Sequence, residues 1–238
     1  MKTALITGGS RGIGAAVARR LSADGYRVAV NYHSAQAQAE ALAKELGGIA
    51  VRADVSDSAQ VQKMVDTVLE KFCQLDILVC NAGIAWQGLI QEMKDETWRK
   101  VLGTDLDGVF FCCRAVLPHM IGRKNGKIVT VSSMWGQVGA SCEVAYSAAK
   151  AGVIGLTRAL AKEVGPSGIS VNCVAPGVID TEMNQNLDPG ALAALLEETP
   201  LGRIGTAEDV ASCVAFLCSP EADFITGQVF PINGGLVI

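Results

Sequence analysis

Apolar residues in this chain fall in short unbroken runs, separated by longer stretches of helical period. The runs at 3–7, 27–31, 49–53, 76–80, 127–132, 169–174 and 228–232 predict seven strands. Runs such as Ile77-Leu78-Val79-Cys80 and Ile128-Val129-Thr130-Val131 are apolar on both faces, as expected for a parallel sheet covered on both sides. Helical stretches lie between them near 12–24, 35–46, 58–72, 95–121, 144–165 and 207–218. This alternation predicts an α/β protein with a doubly wound, seven-stranded parallel sheet and helices on both faces. In such a sheet, ligands sit outside the carboxyl ends of the strands. No repeat, low-complexity tract or linker interrupts the pattern, so residues 1–238 are read as one domain.

The long irregular stretch is 176–206, which contains Pro176, Gly177, Pro189, Gly190 and Pro200. Connections of that length usually carry function. A mobile lid over about 180–206 is expected, with a short helix at 192–198.

Composition narrows the class. Half of the residues are hydrophobic and only 18% are charged, enough apolar material for a large core without disulfides. A net charge of −4 argues against a nucleic-acid or anionic-membrane partner. The N-terminal residues run straight into a strand and a glycine turn, with no signal peptide, and no apolar segment reaches the roughly 20 residues of a membrane span. A cytoplasmic protein is expected. The eight cysteines form no Cys-x-x-Cys pair, and His33 and His119 lie near no cysteine cluster, so no metal site is expected. Cys80 and Cys173 read as small buried hydrophobes.

The first strand leads into Thr7-Gly8-Gly9-Ser10-Arg11-Gly12-Ile13-Gly14. Gly8 permits the tight turn, Gly12 lets backbone approach a pyrophosphate, and Gly14 allows helix and strand to pack closely. The helix N-terminus then offers free N–H groups to the anion. That is the fingerprint of a dinucleotide-binding Rossmann fold. No Gly-Lys-Ser/Thr follows, which excludes a triphosphate loop. A cofactor with a free ribose 2′-hydroxyl is usually held by an acid about 20 residues further on. The second strand ends instead in Asn31-Tyr32-His33-Ser34, with Asn31 at that position. Arg11 supplies a cation suited to a 2′-phosphate, although a solvated loop arginine would read the same. The expected cofactor is NADPH/NADP+.

Tyr146 and Lys150 stand one helical turn apart, with Ser133 thirteen residues before the tyrosine. A tyrosine with its ordinary pKa of about 10 is a poor acid or base near neutrality, and a neighbouring lysine cation pulls that value down. Ser133 could hold a carbonyl oxygen at the same point.

Taken in order, these motifs resemble the short-chain dehydrogenase/reductase family from Lys2 to the C-terminus. They are Gly8-x-x-x-Gly12-x-Gly14, Asp54-Val55, Asn81-Ala82-Gly83, Ser133 with Tyr146-x-x-x-Lys150, and Pro176-Gly177. Bacterial 3-oxoacyl-(acyl-carrier-protein) reductases are most similar, through Arg11-Gly12-Ile13-Gly14, Leu201-Gly202-Arg203-Ile204-Gly205 and the ending at 226–235. The resemblance implies adenine contacts from Asp54 and Val55 and a ribose floor from Asn81, Ala82 and Gly83. It places Pro176, Gly177, Ile179 and Thr181 around the nicotinamide; Asp54 and Thr181 would equally serve as helix N-caps. It also implies hydride transfer to a ketone carbon, with Tyr146 protonating the alkoxide, Ser133 binding that oxygen and Lys150 touching ribose. Cofactor contacts are therefore expected from Gly8, Ser10, Arg11, Gly12, Ile13, Gly14, Asn31, Tyr32, His33 and these later residues. A homotetramer joined through the helices at 95–121 and 144–165 is the family expectation.

Two departures stand out. Asp105 occupies a position where the family usually has asparagine, whose backbone carbonyl supports a water relay to the lysine; retained activity with an altered pH profile is expected. For docking an acidic acyl-carrier protein, Lys124 offers a basic residue, but Ser167 stands where another is often basic. The stretch from Ser132 to Val144 also resembles reductases that act on a ketone attached to a lysine of elongation factor P. Ser133, Trp135, Cys142, Trp86 and Met183 are the substrate-side candidates. Glu143 would either meet a cationic substrate or act as a first-turn acid matching the helix dipole. The competing functions are thus a 3-oxoacyl reductase of fatty-acid synthesis, a reductase of another ketone (such as a small molecule or steroid), and a non-catalytic NADP(H)-binding regulator.

Overall fold

The computed structural model describes residues 1–182 and 189–238. Seven parallel strands form one sheet in the order β3-β2-β1-β4-β5-β6-β7. They are β1 (Thr3–Ile6), β2 (Arg27–Tyr32), β3 (Ile49–Arg52), β4 (Ile77–Cys80), β5 (Gly126–Val131), β6 (Ile169–Pro176) and β7 (Val229–Ile232). The chain winds outward from β1 to β3, then crosses back and builds β4 to β7 on the other side. The strand order therefore reverses between β1 and β4, which opens a crevice at their carboxyl ends.

The helices are α1 (Gly12–Ala23), α2 (Gln36–Glu45), α3 (Ser58–Phe72), α4 (Asp95–Leu102), α5 (Gly108–Arg123), α6 (Trp135–Val138), α7 (Val144–Val164), α8 (Pro189–Glu198) and α9 (Ala207–Cys218). Alternate residues of the sheet feed two cores. Leu78, Cys80 and Ile128 meet Val61, Met64, Val65 and Val68 of α3, Val109, Cys112 and Val116 of α5, and Val153 of α7. Ile77, Val79 and Val129 face the other way, onto Val17 and Leu21 of α1, Leu42 of α2 and Val210 and Val214 of α9. This two-sided burial explains why the strands read as continuous apolar runs. Helix ends are set locally. Asp57 accepts the amides of Ala59 and Gln60 at the start of α3, and Thr206 and Asp209 form a reciprocal capping box on α9.

One element departs from the expected pattern. The helix anticipated over 95–121 is divided into α4 and α5 by a π-helical turn at Gly103–Asp107, where the Gly108 amide bonds the Gly103 carbonyl five residues back. Periodicity across so long an apolar stretch conceals one inserted residue, and such π-bulges often sit at functional sites. Gly108 is needed beside it, since a Cβ there would lie 2.9 Å from the Val55 side chain. Helix α8 begins three residues before the expected 192. Among the described residues, no helix is long and apolar enough to cross a membrane.

Candidate active site

The β1–α1 loop is braced from three strands. Thr7 Oγ1 accepts the amides of Asn81 (3.0 Å) and Ala82 (3.1 Å), and the Asn81 side chain donates to the carbonyls of Thr7 and Gly8. Gly8 (φ +59°) and Gly12 (φ +52°) adopt the left-handed region. A Cβ on Gly8 would lie 2.8 Å from the Ala82 backbone, and one on Gly14 would strike the Gly8 carbonyl. Arg11 is the N-cap residue of α1, and no side chain caps that end. The first-turn amides and the dipole therefore face outward, an arrangement that fits a pyrophosphate.

Asn31 does not serve as expected. It is buried, its Oδ1 accepts the Gly8 amide at 3.1 Å, and its Nδ2 donates to the carbonyls of Val51 (3.3 Å) and Ala53 (3.1 Å). The side chain is consumed in tying the loop to β2 and β3 and is closed to a ribose. Tyr32 is likewise turned into the core against α1 and α2, and Val55 is buried beneath Gly108. Strand alternation gave no sign of this because this end of the sheet is covered on both faces. Exposed groups flank the loop instead. Arg11 pairs with Glu182 at 2.8 Å, both side chains more than half exposed, and His33 Nε2 lies 3.7 Å from Asp54 Oδ2. Asp54 also accepts the amide and hydroxyl of Ser56, so its carboxylate shapes the turn into α3.

The candidate proton-transfer residues converge at the ends of β4 and β5 and the start of α7. Ser133 follows β5, is buried, and accepts the Trp135 amide at 3.1 Å. Tyr146 is the third residue of α7 and Lys150 follows one turn later, its Nζ 5.4 Å from the phenol ring centroid. Nζ donates to the Val131 carbonyl (3.2 Å) and lies 3.1 Å from Asp105 Oδ2. Both members of that ion pair are buried, and Asp105 Oδ1 accepts the Ile84 amide at 2.8 Å. Oδ2 makes no well-aligned hydrogen bond, so its contact with Lys150 is one of charge and proximity. Gly83 closes over the pair: a Cβ there would sit 2.7 Å from Oδ2 and 3.2 Å from Nζ.

Burial, with these charges, alters the expected tuning of Tyr146. Burial pushes the phenol above its ordinary value; Lys150 pulls it down and Asp105 pushes it back up, while a hydrogen bond from Ser133 lowers it and Glu143 raises it slightly. Burial works against the Lys150 cation, but Asp105 and Tyr146 outweigh it and the ammonium is held above its usual range. Burial also leaves the Asp105 carboxyl above its usual range despite Lys150. Asp105, expected among the catalytic residues, touches Lys150 and the Ile84 amide, a placement suited to positioning the lysine.

The flanks are built from backbone contacts. Met134 donates to the Pro176 carbonyl and Gly177 to that of Ile232 (both 2.9 Å), and a Cβ on Gly177 would strike Asn233. The Ile179 side chain is buried against Gly205, and the Thr181 methyl lies 3.4 Å from where a Gly12 Cβ would stand. Trp86 and Trp135 are half-buried, and Gly88 turns tightly under the Trp86 ring to reach the Cys142 carbonyl at 2.9 Å. Cys142 is exposed, with φ +62°. Glu143 stands at the N-cap of α7, before the first turn, and accepts Gln87 Nε2 at 3.0 Å. Met183 lies outside the described residues.

A family model described as enoyl-(acyl carrier protein) reductase matches residues 8–237. The chain is 42% identical to 3-oxoacyl-(acyl-carrier-protein) reductase FabG of Staphylococcus aureus over 99% of its length and 98% of that protein. It is 44% identical to the reductase of that name from Synechocystis (100% and 97%) and 41% identical to the Escherichia coli protein (99% and 97%). The chain belongs to the short-chain dehydrogenase/reductase family.

As a short-chain dehydrogenase/reductase it is an oxidoreductase of carbonyl or alcohol groups and belongs to a family that binds a nicotinamide cofactor. The candidate site also contains groups that motif reading passed over. Ser132 donates to the Lys150 carbonyl at 2.7 Å, and Gly136 packs against both, since its Cβ would fall 2.6 Å from Ser132 Oγ. The Val131 carbonyl and the Ile84 amide orient the ion pair. Ser132 was legible as the neighbour of Ser133; the backbone groups carry no residue signature.

Proposed function

We propose that this protein reduces the ketone of a 3-oxoacyl group on an acyl-carrier protein to a secondary alcohol, with NADPH, in the cytoplasm. The observation that carries the reading is the convergence of Ser133, Tyr146 and Lys150 beside a braced glycine loop, in a chain more than 40% identical to 3-oxoacyl-(acyl-carrier-protein) reductases along its whole length. NADPH is supported by Arg11, an exposed guanidinium in that loop, and by the absence of an acid where Asn31 is buried. His33 stands near the same end of β2.

When bound, the nicotinamide supplies the hydride. Ser133, whose oxygen accepts from Trp135 and whose O–H faces the Tyr146 phenol, turns that O–H to the ketone oxygen when substrate is bound, where charge accumulates in the transition state. The neutral Tyr146 phenol gives that oxygen its proton, and Lys150 is placed to bind ribose hydroxyls. Residues Pro176, Gly177 and Thr181 bound the nicotinamide side, and Trp86, Trp135 and Cys142 the substrate side. The reading includes a homotetramer covering the exposed Trp98, Phe110 and Ile121 and the small-residue face of α7 at Ala148, Ala151, Gly155 and Ala159.

The test is reduced-nicotinamide oxidation with 3-oxobutyryl-(acyl-carrier protein), compared at equal concentration with acetoacetyl-CoA, a crotonyl thioester and a ketone-bearing elongation factor P. Preference for the acyl-carrier ketone supports the proposal. Preference for elongation factor P would favour the second reading, which rests on the Trp135, Cys142 and Glu143 stretch. A KM for NADH at or below that for NADPH would refute the cofactor assignment.

A further inference from the structure

We propose that Asp105 is an internal counter-ion that offsets part of the pull of Lys150 on Tyr146, so that the phenol stays protonated, the form that ketone reduction uses, up to higher pH. The inference rests on the reductase reading above and names what sets the protonation of its proton donor.

The geometry gives the carboxylate first claim on the ammonium. Lys150 Nζ is in contact with Asp105 Oδ2 at 3.1 Å, and the same ammonium lies 5.4 Å from the centre of the Tyr146 ring. Both charges of the pair are buried, so little screens the field of either at the phenol. Asp105 cannot swing aside. Its Oδ1 is held by the Ile84 amide, its backbone lies in the π turn, and Gly83 leaves no free volume above Oδ2. Lys150 is also fixed, by the Val131 carbonyl. The tyrosine therefore sees a cation whose charge is partly offset, not a bare one.

The other groups around the site do not restore the missing positive charge. Glu143, at the start of α7, is a second anion; Ser133 beside the phenol is neutral; and the Cys173 thiol of β6, which acts on Lys150, is pushed above its ordinary range by burial. A protonated phenol suits reduction, in which hydride forms the C–H bond and tyrosine supplies the proton for the O–H bond. The phenolate left behind recovers a proton from water, and the neighbouring carboxylate increases its affinity for one. Alcohol oxidation needs the phenolate at the start, so the same charge moves it to higher pH.

Asp105→Asn removes the anion while keeping the size of the side chain. The probe is the ultraviolet tyrosinate absorbance of the ligand-free protein, with the Tyr146→Phe protein subtracted to isolate one of three tyrosines. Tyr146 in Asp105→Asn should ionise at lower pH than in the unmodified protein. The pH profile of alcohol oxidation should shift to lower pH by the same amount as the tyrosine titration. An unchanged Tyr146 titration in a folded variant overturns the proposal. Should the variant fail to fold, carbon-13 NMR of aspartate-labelled unmodified protein decides: an Asp105 carboxyl ionised at pH 7 supports the counter-ion, and one still protonated at pH 8 overturns it. The optical titration uses no substrate, so a wrong choice of ketone leaves its outcome intact. Conversely, a failed titration leaves the substrate comparison standing.

Discussion

Asn31 and Gly8 are joined by a 3.1 Å hydrogen bond from the glycine-loop amide to the buried side-chain oxygen. The end of β2 thus holds the anion-binding loop in shape instead of reading the ribose. Asn31→Asp, the replacement that would ordinarily be made to favour NADH, should not do so here. It would remove the Nδ2 donor from the Val51 and Ala53 carbonyls and face them with a buried anion. A loss of about 2 kcal/mol in stability is expected. Thermal unfolding and the NADH and NADPH Michaelis constants check both halves, and a switch to NADH at undiminished stability would contradict the placement.

Arg11 is free to change partners. Its pair with Glu182 is exposed on both sides, a class worth at most about 1 kcal/mol. Arg11→Ala should raise the KM for NADPH about 10- to 100-fold, as expected for one charged hydrogen bond of about 1.5–3 kcal/mol. The KM for NADH should hardly move. Equal effects on the two cofactors would remove Arg11 from the 2′-phosphate.

Tyr146→Phe keeps the ring that packs beside Lys150 and deletes only the hydroxyl. Turnover should fall by about two to four orders of magnitude while NADPH still binds, as followed by quenching or enhancement of nucleotide fluorescence. Near-normal turnover would transfer the proton-donor role elsewhere.

Gly83→Ala inserts a methyl 2.7 Å from Asp105 Oδ2 and 3.2 Å from Lys150 Nζ. Displacing a buried ion pair should cost about 1–3 kcal/mol of stability and at least about tenfold in kcat. Gly122→Ala, where nothing lies within 4 Å, is the matched control. Identical behaviour of the two variants would show that the Gly83 site yields without consequence.

His119 gives a pH signature unrelated to catalysis. Its Nε2 accepts the Leu75 amide at 3.1 Å, and burial, with Arg123 nearby, lowers its pKa below the ordinary 6.5. The contribution of the neutral ring to stability is therefore present above about pH 6.5 and is lost as pH falls through the lowered folded-state value. Melting temperatures measured from pH 7.5 to 5 should decline more steeply in the unmodified protein than in His119→Gln. Parallel curves would exclude the linkage.

The sheet, its two faces and the glycine loop were legible because each rests on a local rule: apolar runs for buried strands, and glycines where left-handed backbone or close approach is required. Ser133, Tyr146 and Lys150 were legible as spacing. What escaped was the direction of side chains at the sheet end, where Asn31 and Tyr32 look alike in one dimension whether they face ligand or core. Charge compensation was also hidden. Lys150 by itself predicts a depressed tyrosine; the resemblance linked Asp105 to a relay toward the lysine, but the direct contact of its carboxylate with the ammonium, from forty-five residues earlier, comes from the fold. The Val131 carbonyl and the Ile84 amide, which orient that pair, belong to the backbone and have no letter in the sequence.

The π turn at Gly103–Asp107 makes this site sensitive to chain length as well as to residue identity. An α-helix turns about 100° per residue, so removing one residue from the turn would regularise the helix and swing position 105 by that angle. Every side chain named here would survive such a deletion, yet the carboxylate would leave the lysine. One inserted peptide unit therefore works as a rotational setting for the site.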